Sequence, residues 1–304
     1  MNWKKTVKRK LRQPFETLGF ILLLLLIPLT PRPLILLQSR LIARILLRFC
    51  SSHRNIALEN LDAVFKDSRT TEAKNNILLQ STATFIQTYI DLIWFTFRSS
   101  HRIKKFVDTH SFETSIQTTP SSTIFVTAHL GNWELLGQLI HHLQLPLTTV
   151  AAPLKNATIN RILNRIRQKN GQQIISAHGA FKKIISALRQ GHHTALLLDQ
   201  TLSPTKGGIP IHFIHATAYI APSAALLSYR TQTPIRFSYC IPQQNGHYTV
   251  TLSDPLNPPP YQPTQHKATI HHLTQTITHQ LTDTILLHPH HWIWSYPYWK
   301  KHTP

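Results

Sequence analysis

Cysteine is scarce in this chain: Cys50 and Cys240 are the two among 304 residues, and they stand far apart. That spacing suggests neither a disulfide framework nor a cysteine metal cluster. Acidic residues are also few, 12 Asp and Glu against 32 Lys and Arg, for a formal charge of +20. A surface so short of negative charge attracts anions: nucleic acid, acidic lipid headgroups, phosphorylated substrates or an acidic carrier protein. The sequence has no HExxH, no Walker A loop and no GxGxxG, which counts against the metalloprotease, phosphate-loop and dinucleotide chemistries those motifs carry. It also lacks a zinc-finger or RNP-like pattern, and its basic residues are scattered, so no specific nucleic-acid partner is expected. Histidine, by contrast, is plentiful at 20. The pairs His141-His142, His192-His193, His271-His272 and His290-His291 are adjacent in sequence, and neighbours do not share a face. No metal site is expected from them, and most of the histidines read as surface substitutions. At 42% hydrophobic content the chain has material for a substantial core.

The N-terminus combines charge and apolarity. Lys4, Lys5, Lys8, Arg9, Lys10 and Arg12 precede a mostly apolar run from Thr17 to Leu29. Pro28, Pro31 and Pro33 follow, then Leu34 to Leu37. Arg40, Arg44 and Arg48 recur among Leu41, Ile42, Ile45, Leu46 and Leu47, a spacing that sets the arginines on one helical face. The stretch from Gln13 to Pro31 is about long enough to span a bilayer, although its prolines weaken that reading. A signal peptide would need a small-residue cleavage site, and Pro-Leu-Thr-Pro-Arg is a poor one. The basic flank predicts a cytoplasmic N-terminus if the segment spans. An interfacial or re-entrant helical hairpin is equally compatible, and an ordinary buried helix is the alternative. Residues 1–48 are expected to form a membrane anchor and 49–304 a single globular domain.

Further along, 55–65 and 73–97 have helical periodicity. In the second, Ile77, Leu78, Ser81, Phe85, Tyr89 and Leu92 make one apolar stripe. A loop is expected at 115–122, a strand at 123–128, and a helix from the turn after it to about His142. Strands are expected at 147–151, 173–176, 194–198, 235–241 and 248–252, with helices at 160–169 and 181–189, the latter closed by Gly191. Strands alternating with helices predict an α/β sheet. The prolines of 255–263 make an extended connection. Ile270, Leu273, Ile277, Leu281 and Ile285 then mark an amphipathic helix. Trp292, Trp294, Tyr296, Tyr298 and Trp299 are expected either as a final core strand or as a membrane-interface patch.

The candidate chemistry lies in His129-Leu130-Gly131-Asn132-Trp133-Glu134, between the β-favouring run 123–127 and the apolar segment at 135–137. Such a strand-to-helix junction suits a general base and its orienter. Glu134 is expected to face back at one nitrogen of His129, leaving the other free to take a proton. Gly131 permits a tight turn with exposed backbone amides. No serine or cysteine nucleophile is adjacent, so direct attack by a substrate hydroxyl is the economical mechanism. The plainer reading has His129 capping the turn and Glu134 solvated. Asp199 ends another apolar strand, and ligands of open α/β sheets bind beyond the carboxyl ends of strands. His129 and Asp199 are therefore expected to face one cleft, unless Asp199 is only a cap. Lys206-Gly207-Gly208 would suit an anion-contacting loop.

These residues carry a resemblance. His129 and Glu134 in HLGNWE match the H-x4-D/E hallmark of the bacterial lipid A biosynthesis acyltransferases, the late lauroyl/myristoyl transferase family. Asp199-Gln200 in LLLDQ, Trp292-Ile293-Trp294, Trp299-Lys300 and, loosely, Arg54 to Leu61 resemble further segments of that family, across nearly the whole chain. The resemblance implies a glycerolipid-acyltransferase-like α/β fold: a mixed sheet flanked by helices, behind an N-terminal membrane-anchoring helical segment. It implies transfer of a fatty acyl group from acyl-carrier protein to a 3-hydroxyacyl chain of a Kdo-bearing lipid A precursor, at the cytoplasmic face of the inner membrane. The carrier thioester is the co-substrate, and neither cofactor nor metal is expected. His129 would be the base and Glu134 its orienter. Asp199, Asn132, Lys206 and Arg161 are expected in supporting or substrate-binding roles, Arg161 against an acceptor phosphate. Acyl-carrier protein, the lipid A precursor and anionic membrane lipids are the expected partners.

The chain departs from the family pattern at three places. Ala151-Ala152-Pro153 lacks an arginine, whose role would fall to Lys155, Arg161, Arg165 or Arg167. His212 and His215 replace a proline and a glycine. Tyr296 to Lys300 lacks a His and arginines. These changes leave two alternatives open: an acyltransferase for another glycolipid or phospholipid acceptor, or a noncatalytic membrane-associated anion binder.

Overall fold

Prolines set the boundaries of the first two helices. The computed structural model describes residues 3–117, 122–169, 171–262 and 266–299, so parts of the expected 115–122 loop and 255–263 connection, and Lys300, lie outside the described residues. Helix α1 (Trp3–Leu26) gives way to a short 3-10 turn at Ile27–Leu29, and α2 (Arg32–Phe49) begins after Pro31, with Pro33 in its first turn. A first-turn proline loses no intrahelical bond, because those amides have no partner in any case. The 24 residues of α1 make a rod about 36 Å long, against a hydrocarbon core of about 30 Å. The segment Arg12–Leu29 is long and apolar enough to cross a membrane, and only 6% of it is buried. The two helices do not form a packed hairpin. Just past its midpoint α1 meets the loop before α8 (Ala157–Lys169), where Asn156 Nδ2 donates to Thr17 Oγ1 at 3.3 Å and Glu16 Oε2 at 3.2 Å. Helix α2 instead lies along α4 (Thr71–Trp94), burying Ile35, Ser39 and Ala43.

Helices α3 (Ser51–Phe65), α5 (Ser99–Phe106) and α6 (His110–Gln117) complete the N-terminal layer. The central sheet is seven-stranded and mixed, in the order β1-β9-β8-β2-β5-β3-β4. Its strands are β1 (Val107–Asp108), β2 (Ile124–Thr127), β3 (Leu147–Ala151), β4 (Gln172–Ser176), β5 (His193–Leu197), β8 (Ile235–Pro242) and β9 (Tyr248–Leu252). All neighbours run parallel except β8 and β9, which form an antiparallel hairpin. Helices α7 (Trp133–His142), α8 and α9 (Ala180–Arg189) are the crossovers that parallel strands need. Alternation across β2 sends Ile124 and Val126 to one core and Phe125 to the other.

Six elements were not foreseen: α5, β1 and α6, whose last residues 115–117 are helical where a loop was expected, then the hairpin β6 (Ile209–Phe213) and β7 (Ala216–Ile220), and α10 (Ser223–Thr231). The hairpin packs on α11 (His266–Leu287), the expected amphipathic helix. The closing aromatics are core but not a strand: after a 3-10 turn at Pro289–His291, Trp292, Trp294 and Tyr298 are buried. On α4 the expected apolar stripe is only half right. Phe85 and Tyr89 are partly exposed, while Thr84, Gln87, Thr88 and Asp91 are buried. The buried polar set is possible because each of these side chains has a partner.

Candidate active site

Two adjacent parallel strands bring the key groups together. β2 and β5 pair in register with Thr127 opposite Leu197, and Leu198 N donates to Thr127 O at 3.1 Å. Parallel neighbours end on the same edge, so the residues just beyond them, His129 and Asp199, meet at the carboxyl edge of the sheet. Asp199 is fully buried. Its Oδ2 accepts the His129 backbone N–H and the Trp292 indole N–H, each at 2.9 Å, and its Oδ1 lies 2.9 Å from His129 Nδ1. An ionised carboxylate can only accept, so the proton of that bond sits on Nδ1. His129 Nε2 makes no hydrogen bond to any described residue, and the side chain keeps 20% of its surface exposed.

The electrostatics follow from these contacts. Burial pulls the His129 imidazole toward neutrality, but the Asp199 charge and hydrogen bond, with a smaller contribution from Glu134, outweigh it and raise its pKa above the ordinary histidine value. Burial pushes the Asp199 carboxyl upward, yet His129 and the Trp292 indole hold it below the usual carboxylate range. Two other histidines contrast with His129: burial drives His193 and His291 down to about 4. Among the described residues, no three His, Cys, Asp or Glu side chains converge to hold a metal ion.

Glu134, expected to face His129, makes no hydrogen bond to it. It lies in the first turn of α7 and takes a bidentate pair from Arg167 on α8, with Nη2 at 2.6 Å and Nε at 3.1 Å. The residue against the imidazole is Trp133, whose ring meets it edge-on at 5.0 Å. Because α7 begins at Trp133, the helical turn carries Glu134 toward α8 and leaves the Nδ1 side to the neighbouring strand. Tyr89 lines the same side, its pKa raised by burial and then by the Glu134 charge.

The turn between His129 and α7 is fixed by its surroundings. Gly131 has φ +64° and presses on β8, where an added Cβ would lie 2.1 Å from Cys240 O. Its amide donates to His291 O at 3.0 Å, and the Asn132 amide to Cys240 O at 2.8 Å. The expected exposed amides at these two positions are therefore occupied. Asn132, expected in a supporting or substrate-binding role, is fully buried and caps α7, its Oδ1 accepting from Leu135 N at 2.9 Å. Its Nδ2 donates to Asp91 Oδ2 at 3.3 Å and Tyr248 Oη at 3.2 Å. Asp91 is in turn paired with buried Arg32 of α2. This chain of contacts ties the start of α2 to the turn.

The other expected residues lie apart. Arg161 is exposed on α8, and its side chain makes no hydrogen bond or ion pair with a described residue. Lys206 is exposed in the 3-10 turn Pro204–Lys206 between β5 and β6, and its side chain likewise has no such contact. Of the four basic residues weighed for the missing arginine's role, Arg167 is the one paired with Glu134. Two of the departures are built into packing. His215 stacks edge-on against Trp299 at 4.1 Å, and Tyr298 stacks on Trp292 at 4.3 Å. Trp292 as a partner of Asp199 was not anticipated; the aromatic cluster signalled burial, but nothing local links it to a residue 93 positions earlier.

Comparison with known proteins gives one family match. The model described as bacterial lipid A biosynthesis acyltransferase matches residues 4–301. No curated protein matches the chain.

Proposed function

Because this chain belongs to the bacterial lipid A biosynthesis acyltransferase family, we propose that His129 is the general base of an acyl transfer. The donor is the thioester of an acyl-carrier protein, and the acceptor is the hydroxyl of a 3-hydroxyacyl chain on a Kdo-bearing lipid A precursor. The observation that carries this reading is the Asp199 carboxylate bonded to His129 Nδ1. It fixes the tautomer and leaves Nε2 as proton acceptor. No hydroxyl or thiol side chain of a described residue hydrogen-bonds His129, which supports direct attack by the acceptor over an acyl-enzyme.

In this mechanism Nε2 takes the proton of the acceptor hydroxyl as its oxygen attacks the thioester carbonyl carbon. The tetrahedral intermediate collapses with cleavage of the C–S bond. The imidazolium, stabilised by Asp199, returns the proton to the departing thiolate. An ester replaces a thioester with no net proton gained or lost. Glu134 and Arg167, locked together, hold one side of the site. Arg161 and Lys206 remain exposed for anionic groups of the substrate or for the carrier protein's acidic surface. The exposed apolar segment Arg12–Leu29 and its basic flank support attachment to the cytoplasmic face of the inner membrane, where the lipid acceptor lies.

The test is an assay in mild detergent with acyl-carrier proteins of several chain lengths and a Kdo-bearing tetra-acyl lipid A precursor. A mass increase of one acyl group is expected with the wild type and not with His129→Ala. Near-wild-type turnover in a folded His129→Ala variant would refute the base assignment. A mass increase with the wild type, and not with His129→Ala, on a different lipid only would move the acceptor to another glycolipid or phospholipid.

A further inference from the structure

A second polar site lies on the opposite flank of α4 from Phe85 and Tyr89. Between α2, α4 and the β8–β9 turn is a cleft of about 540 Å³ whose lining includes Arg40, Arg44, Asn76, Gln80, Gln87 and His291. No Asp or Glu lines it. Arg40 and Arg44 are exposed, and neither forms an ion pair with a described residue. Two guanidiniums one helical turn apart repel each other without a counterion. Of the facing amides, Gln80 Nε2 donates to Asn76 Oδ1 at 3.0 Å and Gln87 Nε2 to Tyr248 Oη at 2.7 Å, which leaves the Asn76 NH2 to donate to an anion's oxygen.

The division of α2 shows where this cleft opens. Ile35, Ser39 and Ala43 are buried, whereas Leu34, Leu37, Leu41 and Ile45 are exposed on another side. Arg40 and Arg44 lie between these two sides, by the 100° step of the helix. If the exposed leucines contact acyl chains, as the neighbouring apolar α1 suggests, the arginines stand at headgroup depth. The floor of the cleft adjoins the active site. His291 O holds the Gly131 amide at 3.0 Å. Gln87 donates to Tyr248 Oη at 2.7 Å, the same oxygen that receives Asn132.

We propose that this cleft binds the phosphate of an anionic membrane lipid, with Arg40 and Arg44 as its cationic ligands. The site is separate from the Arg161 contact expected for the acceptor, and it does not depend on the transfer reaction. Arg–phosphate pairs are charge-assisted and bidentate, so their contribution exceeds that of scattered surface charge.

The experiment measures binding of the full-length protein to phosphatidic acid and to phosphatidylcholine in nonionic detergent micelles. Salt is set near physiological, where the Debye length is about 8 Å and distant charges are screened. The variant is R40Q/R44Q. The control is R48Q/R189Q, which removes the same charge at two exposed positions outside the cleft. R40Q/R44Q is expected to weaken phosphatidic acid about tenfold or more, and the control less than about twofold. Equal losses in both variants, or equal wild-type affinity for phosphatidic acid and phosphatidylcholine, would overturn the proposal. Thermal melts establish that both variants fold. A further arm adds millimolar inorganic phosphate to the wild type: failure to displace phosphatidic acid supports a lipid-borne ligand, and full displacement overturns the lipid assignment in favour of free phosphate. Because the readout is binding, inactive protein in the acyl-transfer assay leaves this test intact.

Discussion

Replacing Asp199 by Asn tests whether Asp199, which bonds His129 Nδ1, takes the orienting part that the sequence led us to expect of Glu134. The carboxylate is fully buried and accepts three hydrogen bonds, from the His129 amide, His129 Nδ1 and the Trp292 indole. An asparagine can retain the amide and indole bonds through its carbonyl oxygen. Its NH2 then faces Nδ1 and donates to it, which moves the imidazole proton to Nε2. The nitrogen that should accept the substrate proton is thereby blocked. The equivalent exchange in a hydrolase triad costs about 10⁴ in rate, or about 5.5 kcal/mol of transition-state stabilisation. The fold loses less, about 1–3 kcal/mol, because neutral bonds replace charge-assisted ones.

The same variant has a signature in pH. A general base must be neutral, and the wild-type His129 holds its proton above the ordinary histidine value. The rising limb of kcat/KM is therefore expected above about pH 6.5, and in Asp199→Asn it shifts to lower pH. Stability follows the opposite signs of the two groups. The raised His129 pKa contributes stability below the unfolded histidine value that is lost as pH rises through the folded one. The lowered Asp199 pKa contributes stability above the unfolded carboxylate value that is lost as pH falls through the folded one. The assays are single-turnover acyl transfer between about pH 5.5 and 9.5 and denaturant melts over the same range, extended by an acid arm down to about pH 2 to reach the Asp199 carboxylate. Glu134→Gln is the comparison, since it breaks the Arg167 pair without touching Nδ1. If Asp199→Asn stays within tenfold of wild type with an unmoved limb while Glu134→Gln loses the limb, Glu134 is the orienter after all.

Two more outcomes are expected from the same geometry. Trp292→Phe keeps a ring against Tyr298 but removes the indole donor to Asp199; it should cost about 1.5–3 kcal/mol of stability in urea melts, with Asp199 titrating at higher pH in the acid arm. Gly131→Ala combines a left-handed φ with a Cβ placed 2.1 Å from Cys240 O, so a loss of about 3 kcal/mol or more is expected in thermal unfolding, whereas Gly179→Ala, also at positive φ but in open space, should cost about 1–2 kcal/mol.

Much of the architecture was legible in local patterns. The strands at 147–151 and 248–252 stand where alternation and apolar runs predicted them, and the helix at 180–189 differs from the predicted one by a single residue. The pattern failed where polar residues are buried by virtue of distant partners. On α4, Thr84, Gln87, Thr88 and Asp91 look like a solvated flank. They are buried because His291, Tyr248, Gly131 and Arg32 meet them. The hairpin β6–β7 was missed although Ile209, Ile211 and Phe213 alternate with Pro210 and His212, because a proline inside so short a run argues against a strand.

By itself the sequence determined a basic, apolar N-terminus, an α/β order of elements, and a histidine at the end of a strand just before a helix. These depend on neighbours within a few residues, where helix and strand periodicity operate. Which carboxylate serves that histidine is not a local property. Asp199 reaches Nδ1 because β5 pairs beside β2 in parallel register, and Glu134 is withdrawn because α8 presents Arg167 to the first turn of α7. Asn132 is a buried support of the turn because Asp91 and Tyr248 converge on it. Only the tertiary structure decides these pairings, since each joins residues whose proximity is set by strand order and helix packing rather than by spacing along the chain.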